Sequence, residues 1–523
     1  MATNPAIGEL QLSCTEESDK LHKMTKKEKK VQRRKLKNNY ELSKRAKEIW
    51  ETLRRHNCSK ETRRKLIAEL YKMVQGKVSE LAFAHDTVRV LQCCIQFGSV
   101  EQRNAIFEEV KDLMLDLSKN KYSKFYVLKM LKYGTKEQRD FIIKSFYGKV
   151  AKLVAHSESS EILESAYNNH ANASQRISLL EEFYGPTYAV FKTQNNLTLE
   201  QILKENPGKK RPILENMKHA LTPLLEKSVI KHSIVHKALM DYFIFAEIKS
   251  KTDRKAIIKS FKTFVLKICR EEFGHLVMLA IFDAVDDTKL VSKVLLNEML
   301  KDLSTIAMDT YGRKVLLYLL GGRDPSYCHP DIVKILQGGD NNPTSKKSRD
   351  VRQRELIEAA SPGLLELVAK ETRALVFDKS HSQLVLAILR HAKGDKSHAM
   401  NAICELAAEE FIPHVKDSED KLDEMHIAEH PAGHQFLKRL ILQDKDKSEK
   451  SEELFSNVLL NGVKRRYLVS WAKVNRSAFV LCSIMESGIQ EITEKLKEIL
   501  LPAKKELSRC KTKGTQLLLE KMK

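Results

Sequence analysis

His426, His430 and His434 stand four residues apart beside Glu424 and Glu429, a run that could hold a metal ion if one helix aligned it. Pro431 and Gly433 interrupt that helix, so the run reads as histidines at a helix junction, and neither metal nor cofactor is expected. Gly321-Gly322 and Gly338-Gly339 lack the Lys-Ser/Thr that would make them phosphate loops, and no G-x-S-x-G elbow or Cys–His arrangement is visible. The nine cysteines include no C-x-x-C pair, which predicts reduced thiols. Trp50 and Trp471 read as core anchors. No constellation asks for an enzyme.

What remains is charge. Across 523 residues, 91 Lys and Arg face 69 Asp and Glu, a net +22. Residues 1–40 hold ten basic and five acidic residues; subtracting that +5 leaves +17 on residues 41–523. A solvated helix face mixes both signs, so a surplus of this size points to a polyanionic partner. Residues 20–37 concentrate ten cations around Glu28 alone and read as a nuclear or nucleolar address or a nucleic-acid-binding arm. No signal peptide opens the chain and no apolar run spans a membrane, so a soluble intracellular protein with no membrane partner is expected.

The elements that must position this charge are helices. Only 19 Gly and 12 Pro punctuate the chain, and amphipathic patterns such as Leu66, Ile67, Leu70, Met73 and Val74 begin at about residue 41. The segments 90–103, 126–139 and 162–176 are self-similar. The first two share a G-x-x-EQR ending and the third a related S-QR. Equivalent apolar positions are Val90, Tyr126, Ile162, Ile234, Val277, Val315, Leu384, Phe436, Val480 and Leu517, with a period near 36. A unit of that length cannot bury its own apolar face, so neighbours must stack into an all-α solenoid of about ten or eleven repeats. A degenerate repeat is expected around 170–215, and a surface insertion at about 321–354, where Gly, Pro, Asn, Ser and Lys accumulate. The divisions expected are a disordered basic segment at 1–40, an N-terminal lobe at 41–190 and a C-terminal lobe at 191–523.

Asp309, Tyr311, Gly312 and Val315 form an entrance, Asp-x-Tyr-Gly-x-x-Val, at the start of a repeat's second helix. Glu271, Phe273, Gly274 and Val277 repeat it, as do Asn120, Tyr122 and Ser123 with Ser in place of Gly. This phrase resembles the Pumilio (PUF) repeat family over roughly residues 60–523. Divergent entrances, more than the usual eight repeats, a mid-chain insertion and a basic N-terminal block resemble its PUF-A branch. The resemblance implies a right-handed superhelical solenoid, L-shaped and two-lobed.

In PUF repeats two side chains of the second helix touch a base edge and a third stacks between bases. Carried over, the first repeat presents Val88, Arg89 and Gln92, of which Arg89 can stack and Gln92 can bond an edge. The third presents Ser160 and Glu164, but Glu161 at the stacking position. Elsewhere the second edge position is Leu128, His236, Leu279, Leu317, Leu386, Lys438, Cys482 and Leu519, most of which cannot hydrogen-bond a base. The cationic and aromatic remainder is Lys124 and Phe125, His232 and His236, His275, Arg313 and Lys314, His434 and Lys438, with Phe479. That inventory suits phosphate contact with occasional stacking rather than base readout.

The resemblance therefore implies sequence-independent binding of RNA, and of double-stranded DNA, in the nucleolus, with ribosome assembly factors as partners. The implied role is maturation of large-subunit ribosomal RNA precursors, by a monomer. Two alternatives stay open: a HEAT- or armadillo-like protein-interaction scaffold, and a PUF-type translational regulator of messenger RNA.

Overall fold

The computed structural model describes residues 40–53, 55, 58–192, 197–225, 227–246, 251–340, 342–343, 345–413, 424–448 and 453–523. The basic block at 20–37 lies outside them. Every regular element among the described residues is a helix. They form two compact units. One runs to Glu182 and includes Pro186–Asn196; the other comprises Phe183–Gly185 and Leu197–Lys523.

Among the described residues, ten second helices carry the repeats. In the first unit they are α1 (His85–Phe97), α2 (Lys124–Tyr133) and α3 (Ser159–Ser165). In the second they are α4 (Ser233–Phe245), α5 (Gly274–Ala284), α6 (Thr310–Gly321), α7 (Lys379–His391), α8 (Pro431–Leu442), α9 (Asn475–Glu486) and α10 (Lys513–Lys521). Within each unit, each of these helices packs on the next.

One entrance chemistry recurs. The carbonyl of an entrance residue accepts the N–H four positions on, as Asp309 does from Arg313 and Asn120 from Lys124. The entrance side chain accepts the free N–H groups of the first turn. Asp309 Oδ1 takes Tyr311 N and Gly312 N, both at 2.8 Å, and Asp378 and Asn120 do likewise. His430 fills the same place with Nδ1, accepting from Ala432 N and Gly433 N at 3.2 Å. A cap of this kind contributes about 1 kcal/mol. The central histidine of the triad is therefore a helix cap. Among the described residues, no group of His, Cys, Asp and Glu could hold a metal.

Three positions after the entrance residue lies a joint that in most repeats admits either no side chain or a hydroxyl; Val235 and His381 are the exceptions. A Cβ on Gly274 or Gly312 would fall against the carbonyl oxygen of Ile268 or Ile306, six residues back, so only glycine allows that approach. Elsewhere a hydroxyl fills the gap and donates to such a carbonyl: Thr87 to Leu81 at 2.6 Å, Ser159 to Leu153 at 2.9 Å, Ser477 to Trp471 at 2.9 Å. Ser123, which replaces Gly in the entrance phrase, donates instead to Ala82 of the preceding repeat at 2.6 Å.

The EQR ending is a third-helix start. Ser99 with Gln102, Thr135 with Gln138 and Asn172 with Gln175 form reciprocal capping boxes. Arg103 reaches back to the Gly98 carbonyl at 2.9 Å, and Arg176 to those of Tyr167 and Asn168.

The structure corrects two registers. In α4 the entrance residue is His232, since its carbonyl accepts His236 N. The position equivalent to Val315 is then Ala238 rather than Ile234, a shift of one turn. In α10 the entrance is Thr512, which makes the equivalent residue Leu518, fully buried, rather than Leu517. The stretch at 170–215 holds the third helix of the third repeat (Ala173–Leu180), the crossing between units, and helices Leu199–Glu205 and Lys210–Leu221.

Most residues of the 321–354 stretch lie at the surface, and a few buried ones anchor it. It contains a helix, Pro330–Gln337, and the first turns of a helix at Arg349–Val376, with Cys328 and Leu336 buried. Arg323 pairs with Asp283 and Asp340, and Arg352 with Asp286 at 2.8 Å. Turn-rich composition marks where the chain bends, but it does not show that buried ion pairs hold the bends.

Candidate nucleic-acid interface

Four, five and eight residues after each entrance lie the three positions at which a base could be met, and they differ sharply in exposure. The first position is mostly buried: Val88, Ser160, His236, His275, Ser382, His434 and Ala478. The third is buried at Met240, Leu279, Leu317, Leu386 and Cys482. The middle, stacking position stays open: Arg89, Phe125, Glu161, Lys314 and Gln435 are exposed. The register corrections change two repeats here. His236 moves to the first position with Met240 at the third, and Glu520 replaces Leu519 in the last repeat.

In the first unit, Arg89, Gln92, Lys124 and Phe125 come together. With His85, Lys121 and Tyr122 they line one groove of about 660 Å³ between α1 and α2. Phe125 is 46% exposed, and Tyr122 meets His85 edge-on at 4.7 Å. The Arg89 guanidinium lies 5.8 Å from the ring centre of Trp50. Lys124 is spent inside the protein, its ammonium 2.6 Å from Glu161 and 3.1 Å from Glu158. Burial acts to lower its pKa, but the hydrogen bonds to Glu161 and Glu158 outweigh that and raise it.

In the second unit the histidines turn inward. His236 is fully buried against Gly274 of the next repeat, and burial pushes its pKa down to about 3. His275 is lowered to about 4 by burial and by Lys314, its ring stacked on Tyr311 at 5.1 Å. His434, its Nδ1 2.8 Å from the His430 carbonyl, is also lowered by burial. These three are neutral packing groups at neutral pH, so in this structure they do not supply the surface cations the sequence suggested. His232 is half-buried at the entrance of α4. Arg313 donates to the Ala307 carbonyl at 3.1 Å and is half-buried, which lowers its pKa. Lys314 is exposed, 5.1 Å over the Tyr311 ring, and Lys438 lies 5.4 Å over Phe479.

Sequence reasoning missed Trp50, Lys121 and Tyr122. Trp471 is fully buried as expected of a core anchor, whereas Trp50 is half-exposed at a groove. Tyr122 was legible, since it is the aromatic of the entrance phrase. Trp50 precedes the first repeat, so no repeat pattern marks it.

Residues 89–111 and 114–145 match the Pumilio-family RNA binding repeat, and residues 308–453 match the CPL (NUC119) domain. Pumilio homolog 3 of Rattus norvegicus is 45% identical over 524 residues, covering 93% of this chain and 80% of the relative. The Homo sapiens protein is 44% identical over the same shares. The chain belongs to the Pumilio homolog 3 (Puf-A) family. The crystal structure of human Puf-A shares the fold with a TM-score of 0.75 and 43% identity, covering 92% of this chain and all of that one. Human Puf-A in complex with DNA matches with a TM-score of 0.73. The Pumilio-repeat match takes in α2, α1 from Arg89 onward and most of the groove between them. The CPL match takes in α6, the 321–354 stretch, α7 and α8. The fold is thus an all-α Pumilio-repeat solenoid.

Proposed function

We propose that this protein binds RNA and DNA by phosphate contact and stacking, without reading base sequence. The observation that carries the reading is the exposure pattern. The base-edge positions are largely apolar or buried, while the open stacking row presents Arg89, Phe125 and Lys314, with Lys438 beside Phe479. A buried Leu or neutral His cannot discriminate bases, whereas an exposed cation or ring accepts any nucleotide. The +17 on residues 41–523 supplies the long-range attraction. That human Puf-A has been seen in complex with DNA supports the same reading. In the cell the ligand class proposed is ribosomal RNA precursors of the large subunit, handled in the nucleolus alongside ribosome assembly factors. This part rests on family membership and the basic block at 20–37.

The test is equilibrium binding of the full chain to unrelated RNAs and a blunt DNA duplex over a salt series. Affinity is expected to fall steeply with salt, with nearly equal slopes for all ligands. Absence of binding even at low salt would refute the proposal and favour a protein-interaction scaffold.

A further inference from the structure

A second groove, of about 440 Å³, lies between the helix Tyr40–Leu53 and the first repeat. Its wall includes Trp50, Arg55, Arg63, Gln96 and Phe97, none of them at the three base-facing positions of a repeat. We infer that this groove is a separate nucleic-acid site that takes one unpaired nucleotide, the indole of Trp50 stacking the base and Arg55 and Arg63 holding its phosphate.

The chemistry of the wall is one-sided. The Arg63 guanidinium lies 5.0 Å from the Phe97 ring centre, and its buried Nε has no hydrogen-bond partner. Gln96 Oε1 is taken by Lys129 Nζ at 2.7 Å, so its remaining offer is N–H. Among the described residues, no carboxylate lines the groove. Two guanidiniums, an amide donor and two flat rings complement an anion joined to a planar π system, which is a nucleotide. A base inside a duplex already has both faces covered, so only an unpaired one can use the indole.

The groove also adjoins the stacking row through the contact of Arg89 with Trp50. Arg89 lines the 660 Å³ groove and stands over the Trp50 ring at 5.8 Å. Arg89 thus links the two grooves, and one strand can run from Phe125 past Arg89 to the groove that Trp50 lines. This inference rests on the nucleic-acid-binding reading and adds a site with its own selectivity for unpaired strands.

Trp50 reports on itself. The chain has two tryptophans, and Trp471 is fully buried. The full chain carrying Trp471→Phe is titrated with a short single-stranded oligoadenylate and with a blunt RNA duplex of equal charge. Binding is followed by anisotropy of the labelled nucleic acid and by indole emission. Should Trp471→Phe disturb folding, the wild-type chain serves, because the shielded Trp471 contributes a constant background. The oligoadenylate is expected to quench most of the Trp50 emission, and the duplex to bind without quenching. Arg63→Gln should weaken the oligoadenylate about fivefold and leave duplex affinity unchanged. The inference is overturned if both ligands bind yet Trp50 emission stays fixed, or if Arg63→Gln affects both alike. If neither ligand binds, the nucleic-acid reading fails and this inference with it.

Discussion

Arg313 Nη1 donates to the carbonyls of Ala307 and Met308, at the end of the helix that precedes α6, while the next residue, Lys314, is exposed over Tyr311. The two cations therefore do different work, although the sequence alone placed both on the binding surface. Arg313→Glu strands two carbonyls at a repeat joint and should cost about 1–3 kcal/mol of stability, measured by denaturant unfolding. Lys314→Glu should leave stability unchanged, weaken RNA and DNA alike by several-fold at low salt, and reduce the salt slope by about one. An unchanged affinity in Lys314→Glu would show that the contact surface lies elsewhere. The same contrast separates Lys124, locked between Glu158 and Glu161, from Arg89, which is exposed. Residue type was legible in the sequence. Exposure was not, because it depends on what the neighbouring repeat lays against each side chain.

At the scale of the element, the second helix was found wherever its entrance is chemically marked. Asp309, Asp378 and Asn120 announce their helices, and the apolar register follows from them. It failed by a turn in α4, where Ile234, Val235, Ala238, Leu239 and Met240 are all buried, so apolarity alone could not set the phase. It failed by one residue in α10, where Leu517, Leu518 and Leu519 are consecutive. In both cases only the entrance carbonyl decides. Histidines packed between these helices make the array acid-sensitive. The pKa values of His236, His275 and His426 are depressed to about 3, 4 and 4, chiefly by burial, against about 6.5 in an unfolded chain. Below pH 6.5 the unfolded chain therefore takes up protons that the folded chain refuses. Stability should be flat above that value and fall as pH drops towards 4, by about 1.4 kcal/mol per pH unit for each such histidine. Unfolding free energies measured across this range should show the decline, and His236→Gln should lessen it by that one histidine's share.

At the scale of the whole molecule, periodicity was enough to give the class of fold. A unit near 36 residues has to stack, and Thr87, Ser123, Ser159, Gly274, Gly312 and Ser477 show how: small or hydroxylated joints let one helix end meet the next start. Stacking is also what silences the base-reading positions, since packing consecutive second helices together covers their first and third rows and leaves the middle row open. How the segment at 321–354 is anchored was not legible, because buried ion pairs such as Arg352–Asp286 join residues far apart in sequence. The central claim, that this array binds nucleic acid while ignoring base order, is tested most directly by selection from a fully randomised RNA pool. The full chain is equilibrated with the pool at low salt and the bound fraction is sequenced. The account predicts a bound pool whose short-motif frequencies match the input. Enrichment of one single-stranded motif by tenfold or more would contradict it.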